Sequence, residues 1–242
     1  EARMLGAFER GMASRAHLST FASAAEVAEF RLGLDDPRIR VEAVGNGIDT
    51  ALYDPDGIGP APYAGTAGPH LVFTGQMDYA PNIDAVTHFA RHVLPPIRDQ
   101  HADARFHIVG RNPAPAVGAL AQIAGVDVAG AVDDIRPWLA SADIVVAPLR
   151  IARGIQNKVL EAMAMARPVV ASAAAAEGIV ARSGEHFIVT GDDAAMAQAV
   201  CDLAADPVRA SAIGQAARAH MLRSYQWDAQ LAPLFRWLDQ PP

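Results

Sequence analysis

From residue 70 onward, short apolar runs alternate with longer stretches in which apolar residues recur every three to four positions. The runs are three to five residues long and largely apolar, which is typical of strands buried on both faces of a sheet. The predicted strands are Leu71–Thr74, Phe106–Val109, Val126–Ala129, Ile144–Ala147, Val169–Ala171 and Phe187–Val189. The predicted helices are Asn82–Gln100, Ala114–Ala124, Ile135–Ser141, Ile155–Ala166, Ala194–Ala205 and Pro207–Ser224. This alternation predicts an α/β fold with a doubly wound, Rossmann-like parallel sheet.

The first 44 residues have a less regular pattern. Two amphipathic stretches, Met4–Ser14 and Ala24–Leu32, predict helices. Ser23 precedes the second stretch, and Glu26 lies three residues after Ser23, which is the spacing of a capping box. We therefore expect that helix to begin at Ser23. Two short strands are expected beside these helices, at His17–Phe21 and Arg38–Val44.

Two further segments complete the pattern. Tyr53–Pro69 contains four prolines and four glycines, which favours a linker or surface loop over a helix or strand. After the last helix of the regular region, Trp227–Asp239 has the amphipathic pattern of a final helix.

Composition excludes several classes of protein. In 242 residues, 51% are hydrophobic and 19% charged, which is the composition of a folded chain. The net charge is −7 and no basic run stands out, which argues against nucleic acid as a partner. The single cysteine, Cys201, rules out a disulfide framework or a Cys-rich zinc site. No apolar stretch approaches the roughly 20 residues that span a bilayer, so a cytoplasmic location is expected.

Basic residues are used unevenly along the chain. Nineteen of the 20 are arginine, and Lys158 is the single lysine. A position that keeps an ammonium where arginine is otherwise preferred suggests a need for a compact point charge, although chance would give the same result.

Candidate chemistry lies where the predicted strands end, because ligands of open parallel sheets bind beyond the carboxyl ends of the strands. The loop Pro148–Gly154 is the richest, since Arg150 and Arg153 precede a predicted helix start that favours anions. Lys158 and Glu161 lie three residues apart and share a face of that helix. Cations, a helix start and a carboxylate suit a diphosphate joined to a hydroxyl-rich ring; the alternative is an ordinary surface Lys–Glu pair. The chain has neither a G-x-G-x-x-G nor a P-loop motif.

The stretch Arg153–Ser172 resembles a signature of retaining, nucleotide-sugar-dependent glycosyltransferases of the GT-B fold, the group 1 or exopolysaccharide type. Their pattern is E-G-x(6)-L-E-A-M-A-x-G-x-P-V-V-A-[ST]. Three other segments agree with the family between residues 41 and 228: Asn46–Asp49, Thr74-Gly75 followed by Pro81–Ala85, and Ala142–Pro148.

The resemblance implies the C-terminal half of a GT-B fold with a partial remnant of the N-terminal domain. Residues 1–40 would be the remnant and 41–69 the interdomain crossing and linker. Residues 70–226 would form the nucleotide-sugar donor-binding domain, and 227–242 a helix that returns across the cleft. Because the acceptor site would belong to the missing N-terminal domain, we expect the chain to bind donor but to transfer sugar poorly. Exposed apolar faces would then favour self-association.

The resemblance also implies roles for individual residues. Glu161 would hold the ribose hydroxyls, amides near Gly154–Gln156 would approach the diphosphate, and the loop Ala131–Ile135 would contact the base. The predicted donor-binding residues are Gly75, Gln76, Arg111, Val132, Asp133, Gly154, Ile155, Gln156, Lys158 and Glu161, and the predicted catalytic residues are Arg153 and Lys158. No metal or cofactor is expected beyond the nucleotide sugar, which is the substrate.

The sequence departs from the family at two places. Arg153 stands where the family has the first glutamate of its E-x7-E pair. The loop Gly75–Asp78 lacks the cations with which many members grip the diphosphate. Our hypothesis is that Arg153 and Lys158 supply this charge from the other side of the cleft, so that replacing either one by alanine weakens donor binding.

Two other functions stay open at this point. A GT-B sugar-nucleotide epimerase or a phosphorylase-like hydrolase would need carboxylates or histidines in the cleft, and the histidines here follow helix and strand patterns. A non-catalytic module that binds a sugar nucleotide or a protein is favoured by Arg153. The family suggests hexosyl transfer to a glycan or lipid-linked acceptor in polysaccharide biosynthesis, with peripheral association at the inner membrane face as an option.

Overall fold

The computed structural model of the protein describes residues 2–238. Its first elements are α1 (Ala2–Ala13), β1 (Ser19–Phe21), α2 (Ala24–Arg31) and β2 (Val41–Ala43). The main region continues with β3 (His70–Thr74), α3 (Ala80–His88), α4 (Leu94–Gln100), β4 (Arg105–Val109), α5 (Pro115–Gly118), β5 (Val126–Gly130), α6 (Arg136–Ala140), β6 (Ile144–Ala147), α7 (Asn157–Ala164), β7 (Val169–Ser172), α8 (Ala173–Ala176), β8 (Ile188–Thr190), α9 (Asp193–Ala205), α10 (Pro207–Ser224) and α11 (Trp227–Leu238).

Strands β3 to β8 form one parallel sheet in the order β5-β4-β3-β6-β7-β8. The strand order changes direction at β3, since Leu71 pairs with Phe106 of β4 on one side and with Ile144 of β6 on the other. The chain therefore winds outward from β3 in both directions, and the loops after β3 and β6 diverge at the switch point. The predicted doubly wound α/β fold is confirmed.

The core explains why the strands read as continuous apolar runs. Every residue of β3 and of β6 is buried, because helices cover both faces of the sheet. Phe73 and Phe106 from neighbouring strands are fully buried, as is Phe89 from the opposing helical layer. Each such side chain stabilises the fold by about 1.5–3 kcal/mol relative to exposure.

Several predicted boundaries change in the structure. The helix predicted over Asn82–Gln100 is interrupted by a π-helical turn, Phe89–Val93, just before Pro95 and Pro96. Proline lacks the N–H that an uninterrupted α-helix needs, which accounts for the break. The helix predicted over Ala114–Ala124 is a single turn followed by the 3₁₀ turn Ala119–Gln122.

The helix predicted from Ile155 begins at Asn157. Gly154 has φ of +66°, which favours glycine, and Gln156 has extended backbone angles. The chain therefore turns sharply before the helix starts. The short helix α8 was not predicted; the Ser172 hydroxyl caps it by accepting a hydrogen bond from Ala175 N.

The first elements pack as a small unit in which β1 and β2 pair in parallel. Ser23 caps α2 as predicted, accepting a hydrogen bond from Glu26 N at 3.2 Å. The Glu26 carboxylate accepts from the Ser23 hydroxyl at 3.0 Å, in place of the backbone N–H of a standard capping box.

Residues 44–69 contain no helix or strand, which confirms the prediction for Tyr53–Pro69, yet they are not a loose loop. Ile48, Ala61 and Tyr63 are buried in the core of the main region. The end of α10 and the start of α11 contact this segment, since Ile48 N donates to Tyr225 O at 2.7 Å and Trp227 packs against Gly47. The end of the predicted final helix, Asp239, and residues 240–242 lie outside the described residues.

The helix α1 presents a largely apolar surface to solvent. Its exposed large side chains are Met4, Leu5, Phe8 and Met12. None of the helices within residues 2–238 combines the length and the apolar character needed to cross a membrane.

Candidate functional site

A cleft of about 580 Å³ opens at the carboxyl end of the sheet, at the switch point between β3 and β6. Its walls come from the loops after β3, β4 and β5 and from the first turns of α3 and α7. The lining residues are Thr74, Gly75, Gln76, Tyr79, Asn82, Val109, Gly110, Arg111, Ala131, Val132, Ile135, Gln156, Asn157, Lys158 and Glu161.

The Lys158 ammonium lies in the wall of this cleft, 4.2 Å from the centroid of the Phe73 ring. It donates a hydrogen bond of 2.6 Å to Asn82 Oδ1. Burial lowers the pKa of Lys158 to about 8, while the charge of Glu161 partly opposes this shift. Within residues 2–238 no carboxylate forms an ion pair with this ammonium, so it is a cation with donors to spare.

Glu161 lies one helical turn further along α7 and also lines the cleft. Burial raises the pKa of its carboxyl group, and interactions with the Tyr53 hydroxyl and with Lys158 oppose the rise. Tyr53 belongs to the segment between β2 and β3, and Arg218 holds that segment by donating to Tyr53 O at 2.9 Å. Sequence reasoning missed Tyr53, because nothing in its local pattern points to a residue more than 100 positions away.

Asn82 joins the two sides of the switch point. Its side chain is buried; Nδ2 donates to Gln76 O at 2.9 Å while Oδ1 accepts from Lys158. A Cβ at position 75 would lie 2.8 Å from Asn82 Nδ2 and 3.2 Å from Lys158 Nζ. A larger residue at position 75 would therefore have to displace the Asn82 amide.

The hydroxyl of Thr74 lies at the bottom of the cleft. Thr74 is buried, and its Oγ1 has no hydrogen-bond partner among the described residues. Leaving a buried hydroxyl unpaired costs about 1–3 kcal/mol. Nearby, α7 begins at Asn157, and its first turn brings N–H groups and the positive end of the helix dipole to the same cleft.

The structure brings most of the predicted donor-binding residues to this cleft. Those that line it are Gly75, Gln76, Arg111, Val132, Gln156, Lys158 and Glu161. Arg111 is exposed at the rim, where it donates to Gln76 Oε1 at 3.3 Å. The loops after β3 and β4 are in close contact here, because a Cβ on Gly110 would collide with the Gly75 carbonyl.

Four predicted residues lie elsewhere. Asp133 is exposed and does not line the cleft. Gly154 and Arg153 line a separate pocket of about 230 Å³, and the Ile155 side chain packs toward Gly45 and Gly178. The hypothesis that Arg153 and Lys158 together supply the charge for the diphosphate from the other side of the cleft is therefore corrected for Arg153, which follows the chain away from the cleft before the turn at Gly154.

The other arginine of this loop is also committed elsewhere. Arg150 forms a bidentate ion pair with Asp84, at 2.6 and 2.9 Å. Lys158 and the rim residue Arg111 are the cations that line the cleft. Across residues 2–238, no three His, Cys, Asp or Glu side chains come together as a metal site would require. The metal-free expectation stays a prediction.

The fold is similar to that of solved glycosyltransferase structures at low sequence identity. HepE from Anabaena, solved in complex with UDP and glucose, matches with a TM-score of 0.79 and 16% identity over 100% of this chain and 68% of that one. Sucrose-phosphate synthase from Thermosynechococcus elongatus matches with a TM-score of 0.75 and 19% identity over 98% of this chain and 62% of that one. WaaG, a glycosyltransferase involved in lipopolysaccharide biosynthesis, has a TM-score of 0.69 and 13% identity over 91% of this chain and 62% of that one. The chain thus spans about two thirds of the length of these structures.

A search of curated protein sequences found no match. A family model does match: the one described as glycosyl transferases group 1 covers residues 68–206, which is more than half of the chain. The matched region contains β3 to β8 and the walls of the cleft. The chain therefore belongs to the group 1 glycosyl transferase family.

Proposed function

We propose that the cleft binds a nucleoside diphosphate sugar, and that the chain is the donor-binding half of a retaining glycosyltransferase. The observation that carries this proposal is the Lys158 ammonium, which lines a cleft at the switch point and forms no ion pair with a carboxylate within residues 2–238. A half-buried cation with unused hydrogen-bond donors is a favourable place for an anion to bind. HepE, which has the same fold, was solved with UDP and with UDP-glucose.

Each wall of the cleft suits one part of such a donor. The diphosphate would lie against Lys158 and the first turn of α7, with the Thr74 hydroxyl below it. The Glu161 carboxylate would accept hydrogen bonds from the ribose hydroxyls. The base would fit between the loop after β5, at Val132, and the rim at Arg111.

The reaction develops negative charge on the diphosphate, next to the positive charge that the cleft supplies. The bond between the anomeric carbon and the diphosphate oxygen breaks, and its electron pair stays on the diphosphate. An acceptor hydroxyl bonds to the anomeric carbon on the same face and gives its proton to the departing phosphate, which retains the configuration. Lys158 and the helix start stabilise the growing negative charge more in the transition state than in the ground state.

The wider setting is part of the same proposal. The acceptor, a glycan or a lipid-linked sugar in polysaccharide biosynthesis, would be held by a further domain, so this chain alone would bind donor and transfer poorly. It would work in the cytoplasm, at the inner face of the membrane where the acceptor is lipid-linked, and without a metal. Exposed apolar residues on α1 and α11, such as Phe8 and Phe235, favour self-association.

A second candidate is a non-catalytic module that binds a sugar nucleotide. Arg153, at the family's glutamate position, lies in its own pocket and favours this alternative. An epimerase or hydrolase has less support, since the described lining of the cleft includes one carboxylate and no histidine.

The experiment is calorimetry with UDP, GDP, ADP, CDP and dTDP, and with their common sugar derivatives, on the parent chain and on Lys158→Met. We expect at least one nucleotide to bind and the variant to bind it about 10- to 100-fold more weakly, since a hydrogen bond to a charged group contributes about 1.5–3 kcal/mol. Arg209→Met, which removes an exposed cation on α10, is the control. Equal binding by parent and Lys158→Met contradicts the proposal, and sugar transfer to an acceptor by a longer chain separates the enzyme from the module.

A further inference from the structure

We infer that Asn82 is a positioning residue, whose side-chain amide holds the Lys158 ammonium in the wall of the cleft and ties it to the loop after β3. The inference rests on the proposed function only for what the ammonium then binds. The contact itself is a property of the fold, and it joins residues on two different helices.

Both ends of the Asn82 amide are in use. Oδ1 accepts from Lys158 Nζ at 2.6 Å, and Nδ2 donates to Gln76 O at 2.9 Å. The side chain is only 6% exposed, so neither bond competes much with water. Because α3 and α7 begin on opposite sides of the switch point, this one amide fixes their starts and the β3 loop relative to one another.

The surroundings leave the ammonium few other positions. The ring of Phe73 lies on one side of it, and the backbone of Gly75 approaches so closely that a Cβ there would come within 3.2 Å of Nζ. The charged groups that line the cleft together with this ammonium are Glu161 on its own helix and Arg111 on the loop after β4. Without the Asn82 acceptor, a lysine side chain with four rotatable bonds would sample several rotamers.

The choice of an amide has a chemical reason. A carboxylate at position 82 would also accept from the ammonium, but it could not donate to Gln76 O, and it would form an ion pair that cancels the charge that an anion needs. An amide oxygen orients the ammonium and leaves its charge intact. The two substitutions Asn82→Asp and Asn82→Ala therefore have opposite effects on the ammonium and the same effect on the anion.

The test uses the fact that Lys158 is the single lysine of the chain. Labelling with [¹³Cε,¹⁵Nζ]-lysine gives one side-chain NMR signal, whose titration reports the pKa of Lys158 directly. We expect Asn82→Asp to raise that pKa by about one unit or more, because a carboxylate replaces a neutral acceptor. We expect Asn82→Ala to lower it or leave it low, and to move the signal toward that of a mobile lysine.

Nucleotide affinity is measured on the same samples by calorimetry, with the nucleoside diphosphate that the parent binds best. Both variants should bind about tenfold more weakly, which corresponds to the loss of one well-placed charged hydrogen bond. Thr87→Val is the matched control: it lies on the same helix, its hydroxyl has no partner among the described residues, and the replacement keeps its shape. This control should leave both the titration and the affinity unchanged.

The outcomes separate the two proposals. An unchanged Lys158 titration in both Asn82 variants overturns the positioning role, whatever the affinity. If Asn82→Ala does not fold, the nearly isosteric Asn82→Asp alone decides, since a titration that stays at the parent value overturns the role. If the parent binds no nucleotide while the titration responds as expected, the positioning role stands and the proposed ligand is wrong.

Discussion

The central sheet buries polar groups differently at its amino edge, where the parallel strands begin, and at its carboxyl edge, where they end. At the amino edge, His70 N donates to Asp143 at 2.7 Å, and His70 Nδ1 lies 3.0 Å from His107 Nε2. Tyr63 stacks on His107 with ring centroids 4.1 Å apart and donates to Trp138 O at 2.6 Å. Each of these polar groups finds its partner within the protein.

At the carboxyl edge the partners are missing. Lys158 has one neutral acceptor, the Thr74 hydroxyl has none among the described residues, and Glu161 is held half-buried with a raised pKa. A pocket at the amino edge, of about 700 Å³, is even larger than the cleft of about 580 Å³. Volume therefore does not identify the site. What distinguishes the cleft is that Lys158, Thr74 and Glu161 lie together in its lining, and buried polar groups cost stability unless they are paired.

The largest expected effect tests the closed amino edge through acid stability. Burial lowers the pKa of His107 to about 4, so between pH 6.5 and 4 the unfolded chain binds a proton that the folded chain does not. The folded state should lose up to about 3 kcal/mol of unfolding free energy as the pH falls through this window.

Chemical denaturation of the parent and of His107→Phe at several pH values measures this loss. The variant should lose less unfolding free energy between pH 6.5 and 4, while the exposed His92→Gln should behave as the parent. Parallel curves for the parent and His107→Phe would mean that His107 is not held neutral by burial.

A smaller effect is expected at the open carboxyl edge from Glu161→Gln. The amide keeps the shape of the side chain but is a weaker acceptor for ribose hydroxyls than a carboxylate. Calorimetry should show a nucleotide affinity about tenfold lower, with less effect on a ligand that lacks the ribose, such as pyrophosphate. An equal loss of affinity for nucleotide and pyrophosphate would mean that Glu161 acts at the phosphates and not at the ribose.

The smallest effect is expected from Arg153→Ala. This side chain is exposed and lines the separate pocket beside Glu26 and Glu177, so nucleotide affinity should change by less than about twofold. A loss as large as that of Lys158→Met, measured under the same conditions, would restore the hypothesis that both cations act on the diphosphate.

The fold was predictable from the sequence wherever the pattern was simple. Strands such as Ile144–Ala147 are found where the apolar runs lie, because burial on both faces leaves no other reading. Helix starts were less predictable. The backbone angles at Gly154 delay α7 by two residues, and they decide whether Arg153 faces the cleft.

The candidate site was predictable in part for a similar reason. Lys158 and Glu161 share a helix face, and their spacing alone brings them to one wall. The residues that hold them come from distant segments: Asn82 is 76 positions from Lys158, and Tyr53 lies on the irregular segment before the sheet. Such contacts depend on packing between elements, which leaves no local periodicity to detect.

The most direct test of the central claim is the titration of the Lys158 side-chain NMR signal with and without the nucleotide that binds best. Without nucleotide the pKa should lie near 8, where burial holds it. A bound diphosphate against the ammonium should raise that pKa by about one unit or more, because a nearby opposite charge favours the protonated form. A titration that stays the same when the protein is saturated with nucleotide would show that Lys158 does not bind the phosphate, and would contradict the account.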